Sequence, residues 1–423
     1  MRVLWICNLM PPMFAEAAKM KPSNREGWVT GALETLVRHC REDGIQLGVA
    51  FPVANEDNAH GKVKGIEYFG FLENTAHPED YDTALVAAIG LICEEFHPDV
   101  IHVFGTEYPH TLAMIRVSEW KKRAVVHLQG LMQHCADEYY AGLPDDVIEE
   151  ATLRDVIRKD SLSRQKEKYE MRAVNEEQAL MLADNACGRT DFDKAFFASV
   201  HPDATYYSLN ESLRSCFYEG VWDPDQCEIH SICVAQGNLP LKGVHVMIEA
   251  LALLKDKYPD VKLYIAGENL VNDGPVGALL RSSYGEYLRA LVKKDELEDR
   301  VRFMGQLKDT EIKQLYLSSG LFVMPSFIEN SPNSLGEAML LGMPCVASEV
   351  GGIPSMASEE EVSFVKPGDV QALAAAVEEL FEDREKALRL AAAARKRAIL
   401  TYDREANYKM LKWMYESIIK DNS

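Results

Sequence analysis

Two glutamates separated by seven residues, Glu329 and Glu337, bracket a stretch suited to holding an anion. The chain between them reads Asn-Ser-Pro-Asn-Ser-Leu-Gly. Ser331 followed by Pro332 marks a helix start: serine caps, and proline fits the first helical position, where its missing N–H costs nothing. The N–H groups of Asn333, Ser334 and Leu335 then have no partner within the helix. With the positive end of the helix dipole, they suit a diphosphate. Glu329 precedes the helix, and Glu337 lies roughly a turn and a half inside it. Hydroxyls at the two ends of such an anion would bond to these carboxylates, as a sugar on one side and a ribose on the other would do. Two glutamates at this spacing are more often solvated, so the flanking residues carry the specificity.

Lys242 is the third residue with chemistry to offer. It sits in Gly237-Asn-Leu-Pro-Leu-Lys-Gly243, a loop that follows an apolar run. A point charge there can neutralise a departing diphosphate, although a lone loop lysine is ordinarily a surface residue. Gly27 opens a helical pattern after a polar loop at 21–26 and can let the backbone approach a phosphate, though glycine is common at such junctions. His102, Gln129, Gly130 and Arg189 stand at or near the carboxyl ends of apolar runs, where open α/β sheets collect ligands. For His102 and His127 a packed, hydrogen-bonded histidine is the commoner outcome. A regular strand puts His127 and Gln129 on one face and Leu128 on the other. Gln129 can offer its amide to a hydroxyl.

These residues need strands to present them, and the chain supplies two sets. Apolar runs at 3–7, 45–52, 99–106 and 124–130 alternate with helical patterns, including 79–96 and a largely helical 145–181. A break at 217–227, with Gly220, Trp222 and Pro224, reads as a linker. Runs at 229–235, 261–266, 301–304, 321–324 and 345–347 then form a second set, with helices between them. Strand and helix in alternation predict an α/β chain of two doubly wound, Rossmann-like domains. The expected boundaries are 1–220, 221–400 and a closing helix at 401–423.

Composition narrows the partners. A formal net charge of -21 over 423 residues argues against nucleic acid and against a polybasic membrane anchor. Nine scattered cysteines without a Cys-x-x-Cys pair favour reduced thiols in the cytoplasm over a disulfide framework or a zinc site. The opening apolar run is too short for a signal peptide, and no run reaches the ~18 residues of a spanning helix. Basic residues from Arg154 to Arg172 could meet an anionic acceptor or lipid surface, but interleaved acids read as a solvated face. No G-x-G-x-x-G and no G-x-x-x-x-G-K-[ST] occurs, which removes support for dinucleotide and P-loop readings. Asp191-Phe-Asp193 and Asp223-Pro-Asp225 imitate a metal-binding Asp-x-Asp but are too short to count, so no metal ligands are assigned.

The two glutamates, preceded by Pro325-Ser326 and followed by Ala338-Met-x-x-Gly342-x-Pro344-x-Val346-Ala347-Ser348, resemble the donor-site signature of retaining family-4 glycosyltransferases of the GT-B fold, the glycosyl transferases group 1. The resemblance implies that Glu329 contacts the donor sugar and Glu337 the nucleotide ribose. It implies that Lys242 meets the donor diphosphate, that Gly305-Gln306-Leu307 supplies the backbone that contacts the base, and that Gly27 faces the donor phosphates across an interdomain cleft. The closing helix would cross back onto the first domain. Two positions depart from the pattern: Asn238 stands where an arginine is usual, and Gln129 where a histidine is common. Gly188-Arg189-Thr190-Asp191 and the segment from Tyr206 to Glu211 resemble bacterial polysaccharide glycosyltransferases. The likeness runs along nearly the whole chain and is specific mainly over 230–356. It implies metal-independent transfer, with retention, from a nucleotide-diphosphate sugar such as a UDP-sugar. No cofactor beyond that donor is expected. The acceptor would be a glycan or lipid-linked molecule in capsular, exopolysaccharide or O-antigen synthesis, with at most peripheral membrane association. A nucleotide-sugar epimerase of the same fold and a sugar-nucleotide-binding protein without turnover are the alternatives.

Overall fold

A computed structural model describes residues 1–21, 27–55, 57–271 and 274–422. Residues 22–26 of the expected polar loop lie outside the described residues. The chain divides into two compact units. The first comprises Met1–Gln133, Tyr169–Arg214 and the chain from Tyr402 onward; the second comprises His134–Lys168 and Ser215–Thr401.

The first unit is built on β1 (Arg2–Ile6), β2 (Gln46–Val53), β3 (His60–Val63), β4 (Ile66–Leu72), β5 (Val100–Phe104), β6 (Ala124–His127), β7 (Asn185–Gly188) and β8 (Thr205–Ser208). Their order across the sheet is β3-β4-β2-β1-β5-β6-β7-β8. Every pair is parallel except β3 with β4, a hairpin turned through Lys64 and Gly65. Side chains alternate between faces along a strand. Accordingly Val3 and Trp5 of β1 enter one core cluster while Leu4 and Ile6 enter the other. The first cluster is covered by the helix Gly27–His39 and by the last helix, Arg404–Asp421, through Tyr408, Leu411, Met414, Tyr415 and Ile418.

The second unit carries β9 (Glu228–Val234), β10 (Lys262–Ala266), β11 (Val301–Gly305), β12 (Ser319–Met324), β13 (Cys345–Ser348) and β14 (Ser363–Val365). They run in the order β11-β10-β9-β12-β13-β14, all parallel. Strand order reverses between β9 and β12, so the loops leaving their carboxyl ends part from each other there. Such a switch point is where open α/β sheets bind ligands.

One stretch is helical as its sequence implies but belongs in part to the other unit. Residues 145–181 were expected to be largely helical within the first domain. They form three helices, Asp145–Glu149, Leu153–Arg158 and Leu162–Leu182, and 134–168 belongs to the second unit. Thr152 starts the middle helix with a capping box shared with Asp155, and Lys159 ends it in a left-handed conformation, φ 53°. The Thr152 hydroxyl donates to the Arg281 carbonyl at 2.9 Å, and buried Asp155 accepts from the Ser283 N–H at 2.8 Å. These contacts span more than a hundred residues, so no local pattern announces them.

Candidate functional site

The site in the second unit is assembled by loops that leave adjacent strands. After β9 the chain runs through Asn238 to a short 3-10 turn, Pro240–Lys242, and then into the helix Val244–Leu254. After β12 it runs through Pro325, Ser326 and Phe327 to Glu329 and the helix Asn333–Leu341. The loops are bonded together: the Phe327 N–H donates to the Leu241 carbonyl at 2.8 Å. Gly243, at φ +68°, lies so close that a Cβ there would stand 1.9 Å from the Pro325 carbonyl oxygen. Only glycine fits this approach.

That approach sets the chemistry. The Lys242 ammonium lies 2.7 Å from Glu329 Oε1, and the Ser326 hydroxyl donates to the same oxygen at 2.8 Å. The lysine and glutamate side chains are 18% and 10% exposed, enough for a ligand to reach them. The Glu329 carbonyl accepts from the Gly352 N–H at 3.0 Å, so the loop after β13 holds it from behind. Phe327 stacks on His245, with ring centroids 5.7 Å apart. Burial pushes His245 down to about 4, which keeps this packing partner neutral. Gly142, from the 134–168 excursion, closes against the same two rings.

The helix start is one residue later than expected. Pro332 is the N-cap and Asn333 the first helical residue, with no side-chain cap bond from Pro332. Gly342 ends the helix at φ +78°, as its position implied. Asn333 and Ser334 are partly exposed on the first turn, and Leu335 is buried beneath them. Glu337 is 3% exposed and faces inward. Asn238 Oδ1 is a buried acceptor that no donor among the described residues reaches, which suits a ligand hydroxyl or amide. Gln306 and Leu307 follow β11 at Gly305, where the Gly267 N–H donates to the Gly305 carbonyl at 3.1 Å.

The remaining candidates lie in the first unit. Gly27 is the first residue of its helix. His102, Gln129 and Arg189 are drawn together by Glu211, a residue that sequence reasoning assigned no role. Glu211 accepts from Gln129 at 3.0 Å and pairs with Arg189 at 2.9 Å and His127 at 3.0 Å. Burial alone would raise the Glu211 carboxyl; Arg189, then His127 and Gln129, hold it below the usual range. His102 Nε2 meets His127 Nδ1 at 3.1 Å, and His102 Nδ1 meets the Tyr415 hydroxyl at 2.7 Å. His102 is therefore a packed, hydrogen-bonded histidine. His127 and Gln129 both reach Glu211, as strand parity required. The cap of the helix Asp191–Val200 is Thr190, in a capping box with Asp193. Asp193 also bonds Tyr206 and the Arg189 N–H, so Asp191-Phe-Asp193 is a structural element.

Two doubly wound sheets and a closing helix give the chain the GT-B fold. Sucrose-phosphate synthase from Thermosynechococcus elongatus has this fold with a TM-score of 0.73, at 16% identity over the whole of both chains. HepE from Anabaena, solved with UDP-glucose, has a TM-score of 0.65 at 18% identity, over 98% of this chain and 100% of that one. Residues 231–397 match the family described as Glycosyl transferases group 1. The D-inositol 3-phosphate glycosyltransferase of Corynebacterium urealyticum is 30% identical over 179 residues, 42% of this chain and 41% of that protein. The chain spans between a third and about two fifths of the length of the curated relatives it matches. The matched family segment contains Lys242, Glu329 and Glu337. The family match is confined to the second unit, from β9 to the helix that follows β14 and beyond. Among the described residues no helix is long and apolar enough to cross a membrane.

Proposed function

We propose that the protein transfers a sugar, with retention and without a catalytic metal, from a nucleotide-diphosphate sugar to a glycan or lipid-linked acceptor. The observation that carries this reading is the Lys242–Glu329 contact of 2.7 Å beside the first turn of the Asn333 helix. Glu329 binds the donor sugar, and Lys242 meets the diphosphate. The first-turn amides share that charge, and buried Glu337 takes the ribose. Negative charge grows on the diphosphate as the glycosidic bond breaks, so a cation and oriented dipoles there stabilise the transition state more than the ground state. A lysine in that place does work that a divalent metal would otherwise do. The base rests against the backbone at Gln306 and Leu307, and Asn238 offers a buried acceptor to the donor. Gln129, Arg189 and their partner Glu211 serve the acceptor side. The relatives support polysaccharide synthesis as the setting: one is an amylovoran biosynthesis glycosyltransferase of Erwinia amylovora.

A thermal-shift panel of UDP- and GDP-sugars, with and without EDTA, tests the donor. The cognate donor raises Tm, because a ligand that binds only the native state stabilises it. The increment persists in EDTA. Product analysis with and without acceptor then separates transfer from epimerisation, and binding without any product would replace transfer by a sugar-nucleotide-binding role.

A further inference from the structure

The buried cluster beneath Glu211 carries a second set of chemical groups. His102 lies on β5, His127 ends β6 and Cys187 lies on β7, three neighbouring strands of the first unit. Their ligating atoms lie within 4.8 Å of one another, and all three residues are buried. His102 Nε2 is 3.1 Å from His127 Nδ1 and 3.5 Å from Cys187 Sγ. Two imidazole nitrogens and a sulfur are the donors that zinc-class ions prefer.

The opposite edges of the rings are the stronger observation. A histidine that binds a metal through one nitrogen almost always engages the other with a carboxylate, a carbonyl or another polar group, which fixes its tautomer. Here His127 Nε2 stands 3.0 Å from Glu211 Oε1. His102 Nδ1 stands 2.7 Å from the Tyr415 hydroxyl, which itself accepts from Trp5 Nε1 at 2.8 Å. Both rings therefore turn one anchored nitrogen outward and the other toward the cysteine.

We infer that His102 Nε2, His127 Nδ1 and Cys187 Sγ form a binding site for a divalent ion of the zinc class inside the first unit, separate from the donor residues of the second. The proton balance is simple. Without an ion, the His127 proton stays on Nε2, facing Glu211, so His127 Nδ1 accepts and His102 Nε2 donates. On binding, the Cys187 thiol gives one proton to solvent, and the His102 proton moves to Nδ1, facing Tyr415. The ion would join three neighbouring strands of the first unit, which suits a structural role.

The test uses the full chain, freed of metal and titrated with zinc against a chromophoric chelator. One ion per chain is expected, with affinity falling more than about 100-fold in Cys187→Ala, beyond the loss of an outer hydrogen-bond partner. Cys227→Ser, in the second unit, leaves that affinity unchanged. Cobalt loading of the unaltered protein should give a near-ultraviolet thiolate-to-cobalt band. That measurement needs no variant, so a Cys187→Ala chain that fails to fold leaves the test intact. No stoichiometric binding, or binding without the thiolate band, overturns the site.

Discussion

Lys242 Nζ and Glu329 Oε1 are 2.7 Å apart although 87 positions separate them in the chain. The pair is part-buried on loops that leave β9 and β12, at the switch point of the second sheet. Lys242→Ala removes the cation proposed to meet the leaving diphosphate. The expected result is a fall in kcat of about 10²–10³, the size seen when one preorganised stabilising group is lost. Stability should fall by about 1–3 kcal/mol, because the mostly buried Glu329 carboxylate keeps the Ser326 hydroxyl but loses its cation. Initial rates with the cognate donor, beside a urea unfolding curve, check both numbers. A near-normal rate would remove Lys242 from the mechanism.

Gly243 makes that contact possible. Its backbone is left-handed, and a Cβ would meet the Pro325 carbonyl at 1.9 Å. Gly243→Ala must move one loop away from the other. The expected cost is at least about 1–3 kcal/mol from the strained conformation alone. The Lys242–Glu329 geometry should go with it. Donor binding by calorimetry should therefore weaken in this variant even though no ligand-facing side chain has changed.

How much of this was legible follows from what each feature depends on. The Asn333 helix, its Gly342 stop and the strands before and after it were readable, because each rests on residues adjacent in sequence. So was the doubly wound pattern of both halves. The Glu211 cluster was not: Glu211 stands just past the edge strand β8, and its partners come from β6, its following loop and the turn after β7. Tyr415 is one of several aromatics on the last helix, and only the fold turns it toward Trp5. The assignment of 134–168 to the second unit was hidden for the same reason. Two hydrogen bonds from Thr152 and Asp155 tie it there, and neither has a local signature.

Glu337 offers a cleaner test of donor recognition than Glu329, because it is fully inside the helix and paired in the fold. If it accepts from the ribose, Glu337→Gln removes the charge while keeping the shape. Nucleotide affinity should fall by about 1.5–3 kcal/mol, the value of a hydrogen bond to a charged group. The loss should appear with the nucleoside diphosphate alone. A loss confined to the sugar-bearing donor would transfer the ribose role elsewhere.

Glu176 gives the first unit a pH dependence. Burial raises its carboxyl to about 8, even though Thr106 at 2.5 Å and the Met132 N–H at 2.7 Å favour the ionised form. The folded chain therefore holds a proton that the unfolded chain releases near 4.5. Its contribution is fully present below that value. It is lost as pH rises toward 8, at up to about 1.4 kcal/mol per pH unit. Glu176→Gln resembles the protonated acid and should flatten this slope. Urea midpoints at pH 5, 6, 7 and 8 would show it, and parallel curves for the two proteins would mean that Glu176 ionises normally.

The last helix is anchored by a hydroxyl. Tyr415 accepts from Trp5 Nε1 at 2.8 Å and meets His102 at 2.7 Å, and all three side chains are buried. Tyr415→Phe keeps the ring in the core but leaves the indole N–H and the imidazole nitrogen without that partner. A buried polar group stranded in this way costs about 1–3 kcal/mol. The urea midpoint should drop accordingly with an unchanged m-value, since the surface exposed on unfolding is the same. Trp5→Phe removes the donor as well, so the two substitutions together should cost less than their sum. Strict additivity in that double-mutant cycle would mean that the Trp5–Tyr415 bond contributes nothing, and the helix would then be held by its apolar face alone.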